Sequence, residues 1–169
     1  IGGSITDFKE IELGITQKFM VGIFGTSQYS ARFGTFLDTS NLQIMDYKYQ
    51  RGGDPYFFMP PMYAYQLIDS TFPTFSGFLE THYIHQFNGF LTSKVPLINR
   101  TDIRTMAGGG LLIVPERNYQ YSELFAGINR IFRIGRERFR LGLYYVIAQS
   151  NSQGFNSGFK FSIVPYNTA

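Results

Sequence analysis

The chain has 169 residues, enough for one domain with its own core. Its charged fraction of 16% falls well below the roughly 25% of an ordinary soluble domain, while Phe and Tyr together reach 18%, a balance that leans toward aromatic-rich β-structure. The net charge of +3 comes from basic residues scattered singly, so no nucleic-acid partner is expected, and the absence of cysteine excludes disulfides and thiolate metal sites.

No apolar run reaches the ~20 residues of a membrane-spanning helix. Ile1-Gly2-Gly3-Ser4 is neither a signal peptide nor a start, so the chain is expected to begin inside something larger or after processing. The first strand is expected over about Phe8 to Phe19, where Ile11, Leu13, Ile15 and Phe19 alternate with Glu10, Glu12, Gly14, Thr16 and Lys18. Successive side chains of a strand point to opposite faces, so the alternation separates an apolar face from a wet one. A connection from Met20 to Gly25 leads to a second strand, about Thr26 to Leu37, with Tyr29, Ala31, Phe33, Thr35 and Leu37 opposite Gln28, Ser30, Arg32 and Gly34.

From Asp38 to Pro73 the alternation fails. Turn formers and rings follow one another in Gly52-Gly53-Asp54-Pro55-Tyr56-Phe57-Phe58-Met59-Pro60-Pro61, which reads as a long loop folded on itself. A third strand, about Phe75 to Phe87, sets Leu79, Thr81, Tyr83, His85 and Phe87 against Phe78, Glu80, His82, Ile84 and Gln86. After a linker from Asn88 to Arg100, the fourth strand, about Thr101 to Val114, carries Asp102 and Arg104 opposite Ile103, Ala107, Leu111 and Ile113. Gly108-Gly109-Gly110 is expected to interrupt it with a bend, a bulge or a close approach.

Pro115 to Asn118 reads as a tight turn into the fifth strand, about Tyr119 to Arg130, where Leu124, Ala126 and Ile128 oppose Glu123, Phe125, Gly127 and Asn129. Ile131 to Glu137 is the next expected connection. The sixth strand, Arg138 to Ile147, places Phe139, Leu141, Leu143, Tyr145 and Ile147 on one face and Arg138, Arg140 and Gly142 on the other. The seventh, Gly158 to Val164, places Phe159, Phe161 and Ile163 opposite Lys160, and Gln149 to Gln153 suits the exposed turn between them.

The expected fold is therefore all-β: an antiparallel transmembrane β-barrel region over residues 1–169, about seven strands, forming the C-terminal part of a larger barrel. An odd, open set has free edges, whereas bacterial single-chain barrels close with even strand numbers. If the last strand ends in the periplasm, the loop 38–73 is external. The lipid-facing set is Phe139, Leu141, Leu143, Tyr145, Ile147, Phe159, Phe161 and Ile163; the lumen-facing set is Glu10, Glu12, Arg32, Glu80, Arg104, Glu123, Arg138, Arg140 and Lys160. The same alternation also describes a soluble lipocalin-like barrel with its apolar face inward, but few Lys and Glu residues are available for a soluble exterior.

The stretch Glu80 to Leu91, followed by Lys94-Val95-Pro96-Leu97-Ile98, resembles a recurrent element in a Bacteroidota family of outer-membrane barrels. In that family a carboxypeptidase-regulatory-like domain precedes a C-terminal barrel. The resemblance extends to Glu10–Phe19 and to Glu123–Phe132. The chain shows no regulatory-like domain, and Pro165 to Ala169 overruns the aromatic terminal position of such barrels. The resemblance implies an outer-membrane location, beside transport or assembly machinery, and no established reaction.

Candidate chemistry is sparse. His82 and His85, three apart in a strand, fall on opposite faces and do not share a metal. Glu80 with His82, and Glu10 with Glu12, share faces, and in a wet lumen such groups pair with basic neighbours. Arg130, Arg133, Arg136, Arg138 and Arg140 read as solvated turn charges, with lipid phosphate as the other candidate. Asn99-Arg100-Thr101 fits a glycosylation sequon only by chance in a bacterial barrel, and the glycine triplet lacks the helix of a phosphate loop.

The aromatic loop asks for cover. Exposed, Tyr56, Phe57, Phe58, Met59, Tyr63 and Tyr65 would make a large apolar patch, so they form the candidate partner contact, with packing inside the barrel as the favoured way to cover them. The function expected is a non-enzymatic outer-membrane barrel, a structural or channel component associated with an envelope transport or assembly complex. Its partners are outer-membrane lipid and other envelope proteins, and no cofactor is expected. The alternative is a soluble barrel binding an apolar ligand. A hydrolase ranks last, because no nucleophile with base and orienting acid is visible.

Overall fold

The period-two alternation becomes strand throughout. The computed structural model describes residues 9–38, 47–68, 72–74, 76–87 and 103–165. Its strands are β1 (Lys9–Met20), β2 (Thr26–Asp38), β3 (Lys48–Gln50), β4 (Phe72–Thr74), β5 (Phe78–Gln86), β6 (Ile103–Val114), β7 (Tyr119–Ile134), β8 (Glu137–Ser150) and β9 (Gly154–Pro165). Seven of them form one antiparallel sheet in the order β1-β2-β5-β6-β7-β8-β9, and β3 pairs with β4 separately. There is no α-helix among the described residues. The sheet is open, with β1 and β9 as its edges rather than joined to each other. The linker after Asn88, with its sequon, lies outside the described residues.

Register places every even-numbered residue of β1, β2, β5, β6, β8 and β9, and every odd-numbered residue of β7, on one face. This inner face receives the segment 51–68. Two apolar clusters form between them. One joins Tyr65 and Ile68 to Phe78, Leu112, Val114, Tyr119, Tyr121 and Ala148, and the other joins Phe58 and Met62 to Ile84, Met106, Phe125, Tyr144 and Val146. The opposite, outer face is left open, with Leu13, Leu124, Phe159 and Ile163 at least 60% exposed.

Two expectations are corrected. The glycine triplet does not interrupt β6, whose pairing with β5 and β7 runs through it without a register shift. Of the three readings it is the close approach that holds: a Cβ on Gly108 would lie 2.2 Å from the Tyr83 carbonyl oxygen, and one on Gly110 would lie 2.8 Å from the Tyr65 ring. The connection expected over Ile131 to Glu137 shrinks to Gly135-Arg136, because Phe132 continues the outer face and Gly135, at φ +64°, closes a tight hairpin.

Glycines on the inner face, Gly108 among them, seat rings from the neighbouring strand. Gly34 pairs with Phe78, Gly108 with Phe125 and Gly127 with Tyr144. A Cβ on Gly34 would come within 2.4 Å of the Phe78 ring, and one on Gly127 within 2.2 Å of the Tyr144 ring. Each ring covers a backbone that has no side chain of its own, a cross-strand pairing that packs the wall without a bulge.

Candidate functional site: a segment bolted to the inner face

The segment 51–68 begins with a turn built on Asp54, whose carboxylate accepts from the backbone N–H groups of Tyr56 and Phe57, each at 2.8 Å. Those two bonds hold the Asp54 carboxyl below its ordinary range. The chain then reaches the free edge of β9. Phe58 N–H donates to the Phe161 carbonyl at 2.7 Å, and Phe161 N–H donates to the Tyr56 carbonyl at 2.9 Å. Lys160, 1% exposed, donates to the carbonyl of Asp54.

Gln66 clamps the middle of the segment. Its side-chain amide donates to the carbonyls of Met59 (3.0 Å) and Ala64 (3.2 Å), and its Oε1 accepts from Met59 N–H at 3.0 Å. Its own backbone N–H donates to Glu123 at 2.7 Å, and the next, Leu67 N–H, donates to the Tyr121 hydroxyl at 3.2 Å. Tyr121 in turn donates to the same Glu123 oxygen at 2.7 Å. Tyr65 donates to the Leu111 carbonyl at 2.8 Å; burial, with Glu80 and Glu123 near, raises its hydroxyl's pKa and keeps it a donor.

A second polar group sits beside the first. One oxygen of Glu80 accepts from Arg32 at 2.7 Å and from His82 at 2.8 Å, and the His82 ring lies 4.6 Å from that of Tyr65. Glu80, His82, Glu123 and Lys160 are all at most 4% exposed, so the segment and the wall take charges out of water together. Burial on this scale is tolerated only where partners are supplied: the segment's backbone meets Glu123 and Lys160, while Arg32 and His82 meet Glu80.

Residues 1–128 match the model of the DUF5686 C-terminal domain, a family of unknown function. The chain belongs to that family. No curated protein and no solved structure gives a match. In this DUF5686 domain the sheet runs past the matched stretch, since β8 and β9 continue it in register from β7. The segment's β9 anchors therefore lie beyond the match, while Glu123 and Tyr121 lie within it.

All nine residues of the lumen-facing set lie on the inner face, but they are not equivalent. Glu80, Glu123 and Lys160 are buried, Arg32 and Arg140 half-buried, and Glu10, Glu12, Arg104 and Arg138 exposed. All eight of the lipid-facing set lie on the outer face, Phe139 and Ile147 half-buried and the others exposed. The loop residues divide. Phe58 and Tyr65 are buried against the wall, whereas Tyr56, Phe57, Met59 and Tyr63 are 73%, 50%, 38% and 65% exposed.

Sequence reasoning missed Asp54, Gln66 and Tyr121. Asp54 carried a signal, an Asx residue ahead of Pro in a Gly-rich stretch; Gln66 and Tyr121 carried none. It also missed that Ser27 meets His85: Ser27 Oγ lies 2.7 Å from His85 Nδ1 and 3.1 Å from the Tyr83 hydroxyl, with His85 Nε2 3.1 Å from the Phe24 carbonyl. Ser27 is 1% exposed, so its hydroxyl is satisfied within this outer-face group. Among the described residues no cluster of three metal-ligating side chains occurs.

Proposed function

We propose that this chain forms wall strands of a bacterial outer-membrane β-barrel, the C-terminal part of a larger barrel, with segment 51–68 folded into the lumen. In this reading the domain is a non-enzymatic structural or channel component beside an envelope transport or assembly complex. The observation that carries it is the outer face. Among the described residues its charges are confined to Lys9, Arg130 and Glu137, at or near strand ends. Between Gln120 and Arg130 on the outer face of β7 lie Ser122, Leu124, Ala126 and Ile128, none of them charged. That stretch spans about 33 Å at ~3.3 Å per residue, or roughly 25 Å across a bilayer at a tilt of ~40°, the height of the apolar band of such barrels.

Water would not leave this face open. Large apolar side chains exposed on the outer faces of β1, β2, β5, β7, β8 and β9 exceed the patches that soluble monomers leave open. The apolar-ligand alternative needs the reverse arrangement, an apolar interior and a polar exterior, whereas here the inner face carries the buried charges and is already filled by the segment.

The test is folding into lipid. Leu143→Arg, on the outer face of β8, is expected to cost about 2–4 kcal/mol near the midplane of a bilayer, read as lost heat-modifiable migration of the full protein folded into liposomes. Recovery of the wild-type protein in the soluble fraction without detergent would overturn the proposal.

A further inference from the structure

Where the inner face of β2 and β5 meets β3 and the start of the segment there is a cavity of about 330 Å³. Arg32, Lys48, Arg51, Gln50, Tyr63 and Glu80 line it. Three of these are cations and one is an acid. The acid is already engaged, because one Glu80 oxygen takes both Arg32 and His82. Lys48 uses one contact on Glu12, at 2.5 Å on the rim, which leaves the lining net positive after that pair is counted.

Donor capacity outruns acceptors around this cavity. Among the described residues, Arg32 Nε and Gln50 Nε2 are buried with no hydrogen-bond partner and Arg51 forms no ion pair. An Arg fork has five N–H groups and an ammonium three, so most of the donors here are unspent. A cation is repelled by this lining, and a neutral sugar leaves its charge uncompensated. An oxyanion matches its charge and its donors, since guanidinium groups bind phosphate oxygens in pairs and Lys adds a point charge.

The geometry points to a binding site for a phosphate monoester. The volume exceeds what a phosphate group needs and reaches the lower end of small-molecule sites, leaving room for a substituent of sugar size. The phosphate sits among Arg32, Lys48 and Arg51, and the Tyr63 and Gln50 side chains face what it carries. This site goes beyond the barrel reading and does not depend on it, because its chemistry belongs to the inner face whichever medium bathes the outer one.

The experiment is isothermal titration of the full protein in uncharged detergent with glucose 6-phosphate, inorganic phosphate and glucose as separate probes. Glucose 6-phosphate is expected to bind, more weakly as salt rises, while glucose does not. Saturable binding of inorganic phosphate alone also supports the site, with free phosphate rather than an esterified one as its source. The double variant Lys48→Gln, Arg51→Gln is expected to weaken binding at least about tenfold, the loss of roughly one charged hydrogen bond or more. Both side chains reach solvent, and the Lys48–Glu12 pair contributes little to folding, so the variant folds. Arg104→Gln, outside this cavity on the same face, serves as the control that keeps binding. Absence of binding by either phosphate, or equal binding by the double variant, overturns the proposal.

Discussion

Replacing Phe58 with Ala tests whether the inner segment is seated by packing. The Phe58 ring stacks on Tyr144 with centroids 3.8 Å apart and planes 12° from parallel, and meets Phe125 edge-on at 5.2 Å. It is 8% exposed and sits among Met62, Ile84, Met106 and Val146. Deleting a buried ring of this kind costs about 3–5 kcal/mol. Because the segment can lift without unpairing the sheet, that loss falls on local opening rather than on global unfolding. At ~1.4 kcal/mol per factor of ten, amides that are protected only while the segment is seated exchange roughly two to three and a half orders of magnitude faster. Those amides are Phe58, Gln66, Leu67 and, on the wall itself, Phe161, whose N–H donates to Tyr56. The assay is hydrogen exchange on the protein folded in detergent, with Phe57→Ala, at a ring 50% exposed, as the comparison expected to change little. Unchanged protection of Gln66 and Phe161 in Phe58→Ala would refute the reasoning, because it would mean that the hydrogen bonds alone hold the segment.

The Asp54 turn gives a pH dependence with a defined sign: its folded pKa lies below the ordinary value, so its stabilisation is complete above that ordinary value and is lost as pH falls through the folded one. Acidification through that window is expected to lower the protection factors of Tyr56 and Phe57, exchange being referred to the intrinsic rate at each pH, and Asp54→Asn to abolish that pH dependence. Gly34→Val drives a side chain into the Phe78 ring, 2.4 Å from where a Cβ would stand, and is expected to lower stability to urea by about 1–3 kcal/mol, with Phe78→Ala in the same chain relieving part of the strain.

The two faces were legible because alternation is a local property. Leu141, Leu143 and Tyr145 against Arg138, Arg140 and Gly142 can be read without knowing any neighbour, and β8 carries them as expected. What the glycines do was legible only as a choice among a bend, a bulge and a close approach. Gly108 looks like a break until Phe125 is known to lie across from it, and that pairing depends on a register set by the whole β6–β7 ladder. The path of the segment was hidden for a stronger reason. Gln66 reaches Glu123 over a separation of 57 residues, and Lys160 reaches Asp54 over 106. Such contacts leave no periodic trace, so composition showed that the rings of 51–68 needed cover but not which of them would find it. Phe58 and Tyr65 went inward, while Tyr56 and Tyr63 stayed out.

The edge of β9 links the inner segment to the wall. Phe161 turns its N–H and its carbonyl away from β8 and gives both to the segment, through Tyr56 and Phe58. A strand edge carries a row of such groups, and in lipid each one left unpaired costs several kcal/mol. The segment therefore serves two surfaces at once. Its Phe58 ring fills the inner face, and its backbone occupies the middle of a wall edge. A strand that pairs with β9 has to leave the level of Phe161 free or displace Tyr56–Phe58, and displacing them breaks the two bonds that fix the Phe58 ring against Tyr144. Closure at this edge and seating of the segment compete for the same pair of backbone groups. β1 differs, being exposed on both faces along its whole length with no segment among the described residues hydrogen-bonded to its free side, so its edge takes a partner strand at no such cost.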